Sequence, residues 1–120
     1  MTQRDLNRRG PLGIAMFLLA LGLPAHAQNY TGLQSLTHMR TVTTYTLVGL
    51  STQPPNTCSY WDAHVRFDHT TADGKAWLAS LLLAHATGRQ IDVWYTNSGT
   101  PGTTNSACTS MAAVTGIRVR

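Results

Sequence analysis

Hydrophobic positions change their period several times along this chain. Ile14 to Leu23 is almost continuously apolar, follows Arg4, Arg8 and Arg9, and gives way to Pro24 and Ala25-His26-Ala27. A basic start, a short apolar run and a small-x-small tripeptide predict a secretory signal peptide over residues 1–27. The apolar run falls short of the roughly 20 residues that a membrane span needs; an uncleaved N-terminal anchor is the alternative. Gln28 to Ser35 follows as a short polar lead-in. Leu36 to Leu50, rich in Thr, Val and Tyr, has strand composition. Its alternation is blurred, with Val42, Thr44, Thr46 and Val48 on one face and Met39, Tyr45 and Leu47 on the other, so a bulge or two successive strands are expected. Pro54-Pro55-Asn56 signals a turn. The cleanest alternation comes next: Trp61, Ala63, Val65 and Phe67 are expected in the core, and Tyr60, Asp62, His64, Arg66 and Asp68 in water.

The period then lengthens. Thr70 and Asp73 have capping-box spacing, and Gly74 to Thr87 is Ala- and Leu-rich without Pro, which predicts a helix. Gly88 suits its C-terminal cap and Arg89 its negative end. At about 100° per residue, Trp77, Leu78, Leu81 and Leu82 form one apolar stripe, and Ala76, Ala79, Leu83 and Ala86 form a second on nearly the opposite side. A helix apolar on both sides is usually buried on both, which makes the second stripe a candidate subunit interface. The plainer reading is an Ala-rich outer face with one exposed Leu. Gln90 to Thr96 predicts a strand with Ile91, Val93 and Tyr95 inward and Asp92, Trp94 and Thr96 outward. Asn97 to Ala107 is a Ser/Gly/Thr/Pro loop, and Ala112 to Arg120 is a last strand with Ile117 and Val119 inward.

Removal of the leader leaves residues 28–120, one domain of a size that buries little surface. It keeps Arg40, Arg66, Lys75, Arg89, Arg118 and Arg120 against Asp62, Asp68, Asp73 and Asp92, so much of the chain's net charge of +4 belongs to the leader. No basic cluster of the kind that neutralises phosphates is present, which excludes a nucleic-acid partner. Cys58 and Cys108 are the only cysteines. In an exported chain an even count predicts a disulfide, here closing a long loop around an otherwise light domain. Two cysteines without metal-spaced partners do not make a zinc site.

Candidate chemistry is sparse. His64, Arg66 and Asp68 share an outer strand face and His69 is close by, a set from which acid–base or metal chemistry could be drawn. An Arg between the ligands argues against a cation, and a solvated strand face explains the same residues. There is no Glu, no G-x-S-x-G and no C-x-x-C, so no catalytic residue, metal or cofactor is assigned. Tyr30, Tyr45, Tyr60, Trp94 and Tyr95 are candidate platforms for sugar rings, with Ser, Thr, Asn and Arg to satisfy hydroxyls.

The run from Asp73 to Trp94, in which a helix ending Ala84-x-x-x-Gly88 passes into Ile91-x-Val93, resembles a segment of small exported proteobacterial proteins, with Cys58, Cys108, Ile117 and Val119 also in place. It is similar to the receptor-binding B subunits of subtilase-cytotoxin-like and typhoid-toxin-like toxins and to their stand-alone relatives, over Leu36 to Arg120. The resemblance implies a mainly β fold with one α-helix: a small OB-like antiparallel β-barrel with one disulfide. It also implies rings of five with the helices at the centre, and binding of sialylated glycans through a serine near the start of the mature chain, for which Ser35 is the counterpart by position. The expectation is a secreted or periplasmic, non-catalytic binding module. Ser35, Tyr60, His64, Arg66 and Trp94 are its candidate ligand contacts, and Ala76, Ala79, Leu83 and Ala86 its candidate oligomer interface. A glycan or a partner protein is the expected ligand, with no nucleic acid and no membrane insertion after cleavage. The alternatives are a periplasmic accessory protein without a sugar site, and a small hydrolase.

Overall fold

The computed structural model describes residues 29–120, so the predicted signal peptide lies outside the described residues. The strands are β1 (Asn29–Tyr30), β2 (Leu36–Val42), β3 (Tyr45–Leu50), β4 (Val65–Asp68), β5 (Ile91–Tyr95) and β6 (Ala112–Val119); helix α1 (Ala72–Thr87) lies between β4 and β5, and a 3₁₀ turn, Asn105–Ala107, precedes β6. They form one six-stranded sheet in the order β1-β5-β6-β4-β3-β2. All neighbours are antiparallel except β4 and β6, which run parallel. The chain is thus mainly β with one helix. Among the described residues no helix is long and apolar enough to cross a membrane.

The blurred run from Leu36 to Leu50 is a hairpin. β2 and β3 pair from Leu36↔Leu50 to Val42↔Tyr45, with a register shift between Leu36 and His38. Thr43 turns the chain at φ 46°. The polar lead-in is itself part of the sheet. Gln34 exchanges two 2.8 Å backbone hydrogen bonds with Ile91, and the carbonyl of the next residue, Ser35, accepts from the Ser51 N–H at 2.9 Å. Gln34 is buried, and its Oε1 accepts from the Ser51 hydroxyl and the Thr52 N–H. Composition alone marks such a segment as loop; here a side-chain acceptor meets a hydroxyl and a backbone donor that sheet pairing leaves free.

Helix α1 begins one residue later than the Thr70–Asp73 spacing implies. Thr71 is the N-cap, with its hydroxyl accepting from Gly74 N–H at 2.9 Å. Thr70 instead donates its N–H to Asp68 Oδ1 at 2.8 Å. Gly74 is required by proximity: a Cβ there would lie 1.8 Å from the Asp68 carbonyl oxygen. Gly88 caps the other end at φ 67°, with its N–H on the Ala84 carbonyl.

The inner face of the sheet packs under α1. Val48, Leu50, Val65, Phe67, Ile91, Val93, Tyr95, Ala112 and Val114 from the strands meet Leu81 and Ala84 from the helix, with Trp77, Leu78, Ile117 and Val119 at the margin. Trp77 meets Phe67 edge to face, centroids 5.8 Å apart. The buried arc of the helix runs Gly74–Leu81–Ala84. Leu82 was expected inward but is 53% exposed, because it stands about 100° around the helix from Leu81. Trp61 was also expected in the core and is 59% exposed. Trp61 and Asp62, at φ 48° and 66°, form a two-residue reversal closed by the Tyr60 and Ala63 backbones, so the alternation only begins at Ala63. A second, smaller cluster covers the outer face: Leu47, Cys58, Ala63, Cys108 and Met111, with Tyr60 against it. It contains the disulfide between Cys58 and Cys108, Cα–Cα 5.5 Å.

Candidate ligand groove

Above this outer cluster lies a groove of about 270 Å³ lined by Val42, Tyr45, Leu47, Tyr60, Arg66, Cys108, Thr109 and Met111. Four segments meet there: the end of β2, the face of β3 and β4, the reversal before Ala63, and the stretch leading into β6. Side chains two residues apart on a strand share a face, which puts Tyr45 and Leu47 side by side; β3–β4 pairing sets Arg66 opposite Leu47. The Arg66 guanidinium stacks over the Tyr45 ring at 4.6 Å from its centroid. At the edge, Arg40 stands over Tyr60 at 5.9 Å. No carboxylate is among the lining residues. Val42, Leu47, Cys108 and Met111 supply apolar surface, and Thr109 supplies a hydroxyl. This combination presents flat π faces, guanidinium donors and apolar surface to a ligand.

Of the residues singled out by sequence, the candidate platforms Tyr45 and Tyr60 and the candidate contact Arg66 come together in the groove; Ser35, His64 and Trp94 do not line it. Ser35 is exposed, with its backbone tied on both sides to Ser51. His64 is half-buried, and its Nδ1 accepts from the Leu50 N–H at 3.1 Å. Burial pushes its pKa down, the neighbouring His38 adds to this, and Asp62 opposes it; its role is to hold β3. Asp68 is occupied by the Thr70 hydroxyl and N–H, which lower its pKa in that order of importance. His69 meets the Thr46 hydroxyl at 3.1 Å. Residues that alternate onto one face are therefore committed to different local bonds. Among the described residues no group of three or more His, Cys, Asp or Glu could hold a metal.

Two further expectations change. Tyr95 is no platform: it is fully buried, its hydroxyl donates to the Pro55 carbonyl at 2.8 Å, and burial raises its pKa. Asp92, expected in water, is fully covered by Arg118 and Arg120, whose Nε groups donate to its Oδ2 at 2.8 and 2.7 Å. Trp94 does point outward, but it is half-buried between Tyr30, at 4.9 Å, and the Arg118 guanidinium, at 5.4 Å. On α1, Ala76, Ala79, Leu83 and Ala86 are all exposed, Leu83 at 54%.

The groove residues that sequence reading did not connect are Leu47, Thr109, Met111 and Val42. Their only local signal is that Met111 and Thr109 flank Cys108, which a disulfide would draw to the segment carrying Tyr60. Compared with known proteins, the chain matches no family model, no curated protein and no solved structure.

Proposed function

We propose that this chain is an exported, non-catalytic binding module that recognises glycans through the β3–β4 groove, built on an OB-like barrel. Several features support the barrel. Between β1 and β2, consecutive residues bond to opposite parts of the sheet, Gln34 to Ile91 in β5 and Ser35 to Ser51 just after β3, as a strand shared by two barrel halves would. The helix falls between the third and fourth long strands, and among the described strands the one parallel pair joins the third and fifth. Barrels of this kind bind ligands on the face of their second and third strands, between the first and last hairpin loops. In this chain those are β3 and β4, the Thr43-Thr44 turn and the loop before β6.

The observation that carries the binding reading is the Arg66–Tyr45 stack beside Tyr60 and apolar surface. Sugars are held by ring stacking on aromatics, with hydroxyls met by planar donors. The test is a glycan array with the exported form, repeated with Tyr45→Ala and Arg66→Ala. Saturable hits that both variants lose are expected. An array without hits would overturn the proposal in favour of an accessory protein that keeps the fold without a sugar site.

A second proposal concerns assembly. Leu82 and Leu83, each more than half exposed, extend the Ala76–Ala79–Ala86 stripe into an apolar face that suits self-association through the helix. Light scattering should give a multiple of the monomer mass that Leu83→Glu reduces to one; a monomeric parent overturns it.

A further inference from the structure

On the outer side of β5 and β6, away from the groove, two arginines share a single carboxylate. Arg118 Nε and Nη2 and Arg120 Nε all lie 2.7–2.8 Å from Oδ2 of Asp92, so the two guanidinium groups sit side by side. Their side chains are 49% and 48% exposed, whereas Asp92 is 0% exposed. Covering the carboxylate favours its protonation, but the hydrogen bonds from Arg120 and Arg118 outweigh that and hold its pKa below the usual carboxylate range. Asp92 therefore stays charged and fixes both arginines by their inner edges. It balances one positive charge of the two. Its other oxygen, Oδ1, is buried and has no hydrogen-bond partner among the described residues, which is costly for an acceptor.

Beside the arginines stands an aromatic ledge: Trp94 under Arg118, with the Tyr30 ring tilted 36° against it and 45% exposed. Tyr30 hydroxyl also accepts from Arg118 Nη2 at 3.3 Å. Two pre-oriented guanidinium forks offer more outward N–H groups than a two-oxygen carboxylate can accept, and they match a tetrahedral oxyanion. We propose that Arg118 and Arg120, set by Asp92 and flanked by Tyr30 and Trp94, form a second binding site for a phosphate or sulfate ester carried on a ring, separate from the groove. The oxyanion takes the outer edges of both guanidinium groups and the ring lies along the Tyr30–Trp94 ledge.

The test is an NMR titration of the full protein with phenyl phosphate, phenyl sulfate, inorganic phosphate and benzoate, read at the Trp94 indole N–H and the Arg118 and Arg120 Nε–H signals. Saturable shifts are expected with either ester, which also identifies the preferred anion. Inorganic phosphate should bind more weakly for lack of a ring, and benzoate more weakly for lack of oxygens. Arg120→Gln should weaken ester binding about tenfold or more, the size of a lost charge-assisted hydrogen bond, with Arg120→Lys in between and Lys75→Gln without effect. Equal binding of benzoate, no saturable shift at millimolar ester, or a shift abolished by Arg66→Gln but kept in Arg120→Gln would each overturn the site.

Discussion

The two faces of the sheet are stabilised in different ways. Under α1, eleven buried side chains from four strands and the helix exclude water, and neither bridged cysteine is among them. On the opposite face the apolar cluster holds only five, two of them the bridged cysteines. There the chain is drawn together by a bond rather than by area, and the thin cover leaves Tyr45, Tyr60 and Arg66 facing a groove. The lesson is one of allocation: a small domain that packs one face fully has little apolar material left for the other. A disulfide can order loops on that second face without filling it.

This contrast can be broken from either side. The largest effect is expected from Cys58→Ala with Cys108→Ala. Opening a loop of sequence separation 50 should lower stability by about 4 kcal/mol in urea unfolding, and amide exchange should rise first in residues 98–111. Uniform exchange across both faces would show that the bridge supports the inner core as well. Next, Leu81→Ala should cost about 3 kcal/mol in the same assay while leaving groove-side exchange unchanged under native conditions. His64→Ala leaves the Leu50 amide without its acceptor, and about 1–2 kcal/mol is expected. The intact His64 also sets a pH signature. Its lowered pKa means the fold prefers the neutral ring, so stability is complete above the unfolded histidine value near 6.5 and falls as pH drops below it. A second fall, from the depressed Asp68 and Asp92 carboxyls, follows only below about pH 4. Melting points that stay level from pH 7 to 5 in the parent protein would rule out the His64 contribution. The smallest stability effect belongs to Arg66→Ala, within about 0.5 kcal/mol, although it should remove ligand binding.

Much of the inner face was legible along the chain. Val65 and Phe67 alternate inward, as do Ile91, Val93 and Tyr95, because a strand's period is enforced by its own backbone; Ala63 is buried as expected, but in the outer cluster. The helix is bounded close to the expected residues, since a cap and an αL glycine act within one turn. Trp61 escaped the alternation because two residues at positive φ reversed the chain before the strand began. Leu82 escaped because the width of the buried arc depends on what the helix lies against. The groove was legible only in pieces. Tyr45, Tyr60 and Arg66 stood out by type, yet their meeting with one another and with Met111 depends on β3–β4 register and on where the disulfide lands.

The sequence by itself determined the inward positions of β4 and β5, the ends of the helix to within a residue or two and the availability of one disulfide, since these depend on neighbours a few residues apart. Only the tertiary structure decided that Gln34 bonds to β5 and Ser35 to Ser51 just after β3, that Asp92 is covered by two arginines, and that four distant segments enclose one groove. Such juxtapositions come from strand order and register, which are set by the packing of the whole domain and not by any local stretch of chain.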